Sequence, residues 1–164
     1  MLRNGEVNTT YNDDAIYTPD VVVFKDDHRM QMLPESQRMS LDVITIAAPN
    51  LRPNPNNKWN PEPSKAIAVK PMELLAIHKK RAKRLFFIAK ANGAEVLVLG
   101  AFGCGAFQNP PEVVARAYKE VLAEFEYDFD TVEFAVYCPK RDQTANPSGN
   151  NYAVFRRVLG SKKR

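Results

Sequence analysis

Residues 97–111 read Leu-Val-Leu-Gly-Ala-Phe-Gly-Cys-Gly-Ala-Phe-Gln-Asn-Pro-Pro, so Gly100, Gly103 and Gly105 directly follow an apolar, strand-like run. Pro110 and Pro111 then mark a helix start, with Asn109 as candidate N-cap. Strand, glycine loop and helix N-terminus in this order suit a phosphate-bearing ligand. Glycine accepts positive φ and lets the backbone approach a ligand closely. Successive N–H groups can then point inward as an anion-binding nest. The helix N-terminus adds unpaired donors and partial positive charge. Ligands of open α/β sheets bind at the C-terminal ends of strands, where this loop sits. The loop is neither a Walker A motif nor GxGxxG. The alternative is a tight strand-to-helix turn with no ligand. Phe102 and Phe107 either cover a ribose or base or simply pack in the core. Cys104 is either a reactive thiol near a helix N-terminus or a small residue in a tight loop.

The surrounding elements must hold this loop. Residues 16–24 contain Val21-Val22-Val23 and form an expected strand, ended by an Asp26-Asp27-His28 turn. Residues 29–40, with Pro34, read as a loop or hairpin connection. Residues 41–48 (LDVITIAA) form a second strand, near-continuously apolar and so expected to be buried on both faces. Residues 49–63 hold five prolines, five asparagines and Trp59, which makes a long loop. Trp59 either stacks on a base or anchors that loop. Residues 71–92 form a helix, with Pro71 in its first turn and Asn92-Gly93 as its stop. Its apolar face is expected at Leu74, Ile77, Leu85, Ile88 and Ala89, with the basic residues mostly opposite. Further elements are a strand at 95–101, a helix at 110–125, a strand at 131–137 and a short helix from about 150 to 159. Asn150 and Asn151 open that helix as caps before ligand contacts. The order is β-β-loop-α-β-α-β-α, which implies parallel pairing with right-handed crossovers from Pro71 onward.

Composition narrows the function classes. The 164 residues fit one domain, and an apolar fraction of 45% with nine Phe and six Tyr can build a core. The 23 basic and 19 acidic residues leave a net charge of +4, which permits a polyanionic partner without requiring one. Part of the excess is local, at Lys162-Lys163-Arg164 and at Lys79, Lys80, Arg81, Lys83 and Arg84. A solvated helix face is preferred over nucleic acid for the second cluster. Cys104 and Cys138 form no CxxC pair, and His28 and His78 have no ligand-spaced partner, so no metal site is expected. Two unpaired thiols, a polar N-terminus and no apolar run near about 20 residues point to a cytoplasmic chain with no membrane partner.

The stretch LGAFGCGAFQNPPEVVARAY resembles the phosphate-loop segment of the bacterial-type poly(ADP-ribose) glycohydrolases, a branch of the macrodomain superfamily. IYTPDVVVFKDD (16–27) and VITIAAPN (43–50) are similar to two further family motifs, in the same order. The resemblance covers roughly residues 11–138 and corresponds to the C-terminal two-thirds of the family. It implies a macrodomain-like three-layer α/β/α fold with a central mixed, largely parallel sheet. The whole chain, 1–164, is then one domain with an irregular arm at 1–14, and the N-terminal part of the family fold is missing. It also implies that ADP-ribose or an ADP-ribosylated substrate is the partner, with no cofactor. The ligand-binding set is then Gly100, Ala101, Phe102, Gly103, Cys104, Gly105, Ala106, Phe107 and Asn109, with Asn50 at the end of the second motif.

The family's hydrolytic centre is a glycine triplet followed by Gln-Glu-Glu, upstream of the matched region. Here no three glycines and no two glutamates are adjacent, and Met1 falls after the point where that segment ends in the family. Glycosidic cleavage needs a positioned carboxyl. Asp20, Asp26 and Asp27 lie inside matched motifs but read as turn and surface residues, so the catalytic residues stay unassigned. Three readings remain open: a binding protein without the standard centre, a hydrolase with a substitute acid or a partner-supplied half, and a structural or interaction protein with a relic loop. An incomplete sheet exposes apolar surface, so a homodimer, a covering partner or a folded-back arm is expected, the dimer being simplest.

Overall fold

The computed structural model describes residues 13–53, 65–126, 128–146 and 149–160. The expectations for the arm at 1–12, for Trp59 with residues 54–63, and for the basic end at 162–164 lie outside these residues.

Strands β1 (Ala15–Val23) and β2 (Met39–Ile46) pair antiparallel, from Ala15 opposite Ile46 to Val23 opposite Met39. The register shifts between Thr18 and Val21. Pro19 has no N–H to give the ladder there, and Asp20 takes φ 56°. Asp42 secures the bulge: Oδ1 accepts the Asp20 N–H at 3.0 Å and Oδ2 accepts the Tyr17 hydroxyl. The hairpin turns on Asp26, whose carboxylate accepts the backbone N–H groups of His28, Arg29 and Gln31. These bonds, that from Arg29 foremost, hold its pKa below the usual carboxylate range. One 3-10 turn (Glu35–Gln37) precedes β2.

From there α1 (Pro71–Ala91), β3 (Val96–Leu99), α2 (Pro111–Leu122), β4 (Thr131–Phe134), a short α3 (Lys140–Ala145) and α4 (Asn151–Leu159) follow. Pro71 opens α1, and Asn92 followed by Gly93 at φ 72° ends it. β3 and β4 pair parallel, as the strand–helix–strand alternation predicts. The pairing is mixed overall, but among the described residues the ladders form two separate two-stranded sheets.

The core lies on one side of β3. Leu97 and Leu99 point into it, while Val96 and Val98 are 58% and 67% exposed. Phe86 of α1 is the hub, with Phe125 at 5.3 Å and Phe129 at 5.6 Å between ring centroids. Tyr118 of α2 and Phe155 of α4 join through Phe134 of β4. The two-sided burial expected for β2 does not occur. Ile44 and Ile46 pack on the core, whereas Met39 and Leu41 are exposed. A continuous apolar run fits a strand with one uncovered face as well as a fully enclosed one.

The buried face of α1 keeps the helical period but is less apolar than expected. The buried side of α1 includes His78 and Arg81, and Ile77 is only partly buried. Asp13 meets Arg81 Nε at 3.3 Å and also pairs with Lys80. Burial alone would raise the Asp13 pKa, but the two cations outweigh it and hold the carboxylate low. The basic cluster is largely neutralised from within. Lys79 pairs with Glu120 and Lys83 with Glu124, each at 2.7 Å, and Lys90 pairs with Asp128. Both partners advance four residues together, so α1 and α2 run in the same direction, as a parallel crossover requires. Such part-exposed pairs contribute about 0.2–1 kcal/mol each.

Replacing Phe86 by Ala removes the hub of the aromatic cluster. Denaturant unfolding should show a loss of about 3–5 kcal/mol.

Candidate functional site

β3 hands its last ladder bond to Ala135, whose N–H donates to the Leu99 carbonyl at 2.7 Å. The chain then tightens into consecutive turns. Phe102 N–H donates to Gly100 O, Cys104 N–H to Ala101 O and Gln108 N–H to Gly105 O. Gly103 must be glycine for two reasons. It takes φ 72°, and a Cβ there would lie 2.6 Å from Asn109 Nδ2 and 2.7 Å from Ala48 Cβ. Gly105 differs: a Cβ built on it meets nothing within 4 Å. Among the described residues, the N–H groups of Gly105, Ala106 and Phe107 donate to no backbone carbonyl. Gly105 and Ala106 are exposed, Phe107 half-buried. Consecutive N–H groups without a backbone acceptor on an exposed bend are donors of the kind an anion can use.

Asn109 is not the N-cap of α2. Pro110 takes that place, with Pro111 in the first turn and no side-chain cap bond. The Asn109 amide turns inward instead and is 2% exposed. Its Nδ2 donates to Pro49 O at 2.7 Å and to Gly103 O at 3.0 Å, while Oδ1 lies 2.9 Å from His78 Nε2. Two carbonyl acceptors fix which end of the amide is which, so His78 carries its proton on Nε2 and donates it. The Asn109 backbone N–H also donates to Gly103 O. The segment after β2 docks on the same loop, with Leu51 N–H donating to Phe107 O at 3.0 Å. Asn50 therefore lies beside the loop, its Oδ1 accepting the Arg52 N–H at 3.3 Å. The Arg52 guanidinium lies 6.0 Å from the Phe107 ring centroid.

Sequence reading passed over His78 as a solitary histidine among lysines. Helical spacing places it on the apolar stripe, four residues from Leu74 and from Ala82, but the basic side chains beside it on α1 suggest a solvent face. Its ring is 3% exposed and meets Phe102 edge-on at 5.9 Å. Burial, against the opposing hydrogen bond to Asn109 and aided by nearby Arg81, lowers its pKa to about 4. Cys104 is no reactive thiol. Burial, with Glu112 adding to it, raises its pKa to about 12, so it stays protonated near neutrality. Asp26 serves the hairpin turn and the Asp20 backbone serves the bulge, as the turn reading of these residues anticipates. Among the described residues no group of three or more His, Cys, Asp or Glu could hold a metal ion, and no helix is long and apolar enough to cross a membrane.

The parallel β3–β4 ladder brings the ends of both strands to one edge. Past the end of β4 an open groove of about 780 Å³ is lined by Val136, Cys138, Tyr152 and Arg156 among others. Asn150 borders it and caps α4, accepting the Ala153 N–H at 2.8 Å.

Gly103→Ala should destabilise the fold by about 2 kcal/mol or more in urea unfolding, because strain and overlap add. His78 gives a pH signature. Its folded pKa of about 4 lies below the unfolded 6.5, so the unfolded chain binds the proton more tightly between these values. Stability should fall as pH drops from about 6.5 to about 4, by up to about 3 kcal/mol. His78→Gln should lack that component, measured by unfolding across the pH range.

No protein-family model and no curated protein matches the chain. Solved structures do. The poly(ADP-ribose) glycohydrolase (PARG) of Deinococcus radiodurans, in complex with ADP-ribose, is 33% identical with a TM-score of 0.71, covering 93% of this chain and 55% of its own. The apo form of that protein matches with a TM-score of 0.68. The PARG of Thermomonospora curvata is 30% identical with a TM-score of 0.71, covering 92% of this chain and 49% of its own. The chain thus spans about half the length of the structures it matches. In fold and in sequence it is a PARG-like protein of the macrodomain-like α/β class.

Proposed function

We propose that the chain binds ADP-ribose, or a related nucleotide, through the loop at residues 100–107. The observation that carries this reading is the run of undonated N–H groups at Gly105, Ala106 and Phe107 beside the open space at Gly105. A diphosphate supplies the acceptors those donors lack. The likeness to a glycohydrolase solved with ADP-ribose supports the choice of ligand. Phe102, Gly103 and Cys104 shape the bend, Phe107 offers a ring beside the phosphates, and Asn50 borders the site. Asn109 acts from beneath the loop rather than by capping α2. The groove past β4 offers room for the nucleoside end.

Binding without unaided hydrolysis is the reading we favour. Glycosidic cleavage needs a carboxyl placed at the scissile bond. Among the acids of the matched motifs, the Asp26 carboxylate is engaged by the hairpin turn, and Asp20 sits in the β1 bulge, where its backbone N–H donates to Asp42. The two unpaired cysteines suit a reducing, cytoplasmic setting. Val96 and Val98, apolar and outward on β3, favour a second copy or another polypeptide over that face. Native mass measurement should then detect a dimer or a complex, and a monomer at micromolar concentration would remove that part of the proposal.

Thermal-shift titration with ADP-ribose tests the central reading, since a ligand that binds the folded state must stabilise it by mass action. No shift at millimolar ligand sinks it. Release of ADP-ribose from a modified substrate by the purified chain alone would overturn the binding-only view. Gly105→Ala separates function from folding. The added methyl meets no protein atom, so the melting temperature should hardly change. ADP-ribose affinity measured by calorimetry should nonetheless fall about tenfold or more, because the methyl occupies the ligand's approach.

A further inference from the structure

We infer that His78 is a positioning residue for the phosphate loop, acting through the Asn109 amide. The inference rests on the binding function proposed for that loop. His78 holds the loop at two points from the middle of α1. Its Nε2–H reaches Asn109 Oδ1, and its ring supports Phe102 edge-on. The first contact governs the loop's conformation. Asn109 is buried, and its amide has one acceptor and two donors to satisfy. With His78 on the acceptor, both donors are aimed at Pro49 O and Gly103 O.

Those two carbonyls belong to different segments. Pro49 follows β2, and Gly103 is the positive-φ residue of the loop. The Asn109 amide therefore joins the segment after β2 to the loop after β3, and His78 sets its orientation. Without a donor at His78, the buried Oδ1 is left unsatisfied. The amide then gains by turning or by admitting water, and either change takes from Gly103 O one of the two N–H groups it accepts, leaving only the Asn109 backbone N–H. The N–H groups of Gly105, Ala106 and Phe107 lie immediately downstream, so a shift at Gly103 moves them as well. Lys or Arg at this position would bring a charge into the core, whereas imidazole supplies a neutral N–H.

Three variants and one control test this. His78→Leu removes the donor. His78→Gln restores an N–H at nearly the same place. Asn109→Ala removes the residue through which His78 acts. Phe86→Leu loosens the core at the aromatic hub, away from the loop. Calorimetry with ADP-ribose should show His78→Leu weakened about tenfold or more and His78→Gln within about threefold of the wild type. The double variant His78→Leu/Asn109→Ala should bind no worse than Asn109→Ala alone. Phe86→Leu should lower the melting temperature without weakening the ligand. Wild-type affinity in His78→Leu, a Gln variant as weak as Leu, or additive losses in the double variant would each overturn the assignment. Amide hydrogen exchange at Leu51 and Asn109, whose N–H groups donate to Phe107 O and Gly103 O, supplies a readout that needs no ligand. It should quicken in His78→Leu and not in Phe86→Leu. If the wild type fails to bind ADP-ribose, the proposed function is lost, and unchanged exchange in His78→Leu would refute the positioning role separately.

Discussion

A buried primary amide cannot be left half-bonded, and in this protein one such amide ties three parts of the chain together. Asn109 donates to Pro49 and Gly103 and accepts from His78, so α1, the segment after β2 and the loop after β3 meet at one side chain. Each bond contributes about 1 kcal/mol net, but leaving any of these buried groups unpaired costs about 1–3 kcal/mol. The junction therefore behaves as a unit, and the loop's shape follows from it. Gly103 can pass beneath Asn109 only because it lacks a Cβ. The backbone that emerges beyond it carries three consecutive N–H groups with no backbone acceptor among the described residues. A rigid buried frame under an open, donor-rich bend is what anion recognition requires, since the donors are ordered before the ligand arrives.

The frame itself depends on packing to one side of β3. Phe86, Tyr118, Phe125, Phe129, Phe134 and Phe155 fill the space between the helices and the β3–β4 pair. Salt bridges from α1 to α2 and to the segment after it border that contact, and together with Asp13 they pair Lys79, Lys80, Arg81 and Lys83, most of the charge that looks, in sequence, like a basic patch. The opposite side of β3 keeps its valines in solvent. The molecule thus combines a well-packed helical side with an apolar side that invites cover, and the candidate site lies at the strand ends between them.

The titratable groups in and near the loop are held in uncharged or internally bonded states. His78 is neutral and buried, Cys104 remains a thiol, and in the first hairpin Asp26 accepts backbone N–H groups of the turn while Asp42 secures the bulge. The likeness to poly(ADP-ribose) glycohydrolases extends over almost all of this chain but only about half of theirs.

The local code of the chain was strong where one residue type has one conformational use. Gly103 at positive φ, Pro111 opening α2, Asn150 capping α4 and the parallel β3–β4 pair were all legible, because φ preference, a missing N–H and element order act over a few residues. The glycine loop and its place at a strand end were legible for the same reason. Tertiary structure alone decided which polar residues turn inward. Asn109 before two prolines satisfies every local rule for an N-cap, yet it serves the core, because Pro49 and His78, 60 and 31 residues away, offer its amide partners. His78 and Arg81 share a helix with lysines, and only the approach of Asn109, Phe102 and Asp13 removes them from solvent. One-sided burial of β2 and β3 was hidden likewise, since an apolar strand records that a face can be buried but not whether anything lies against it.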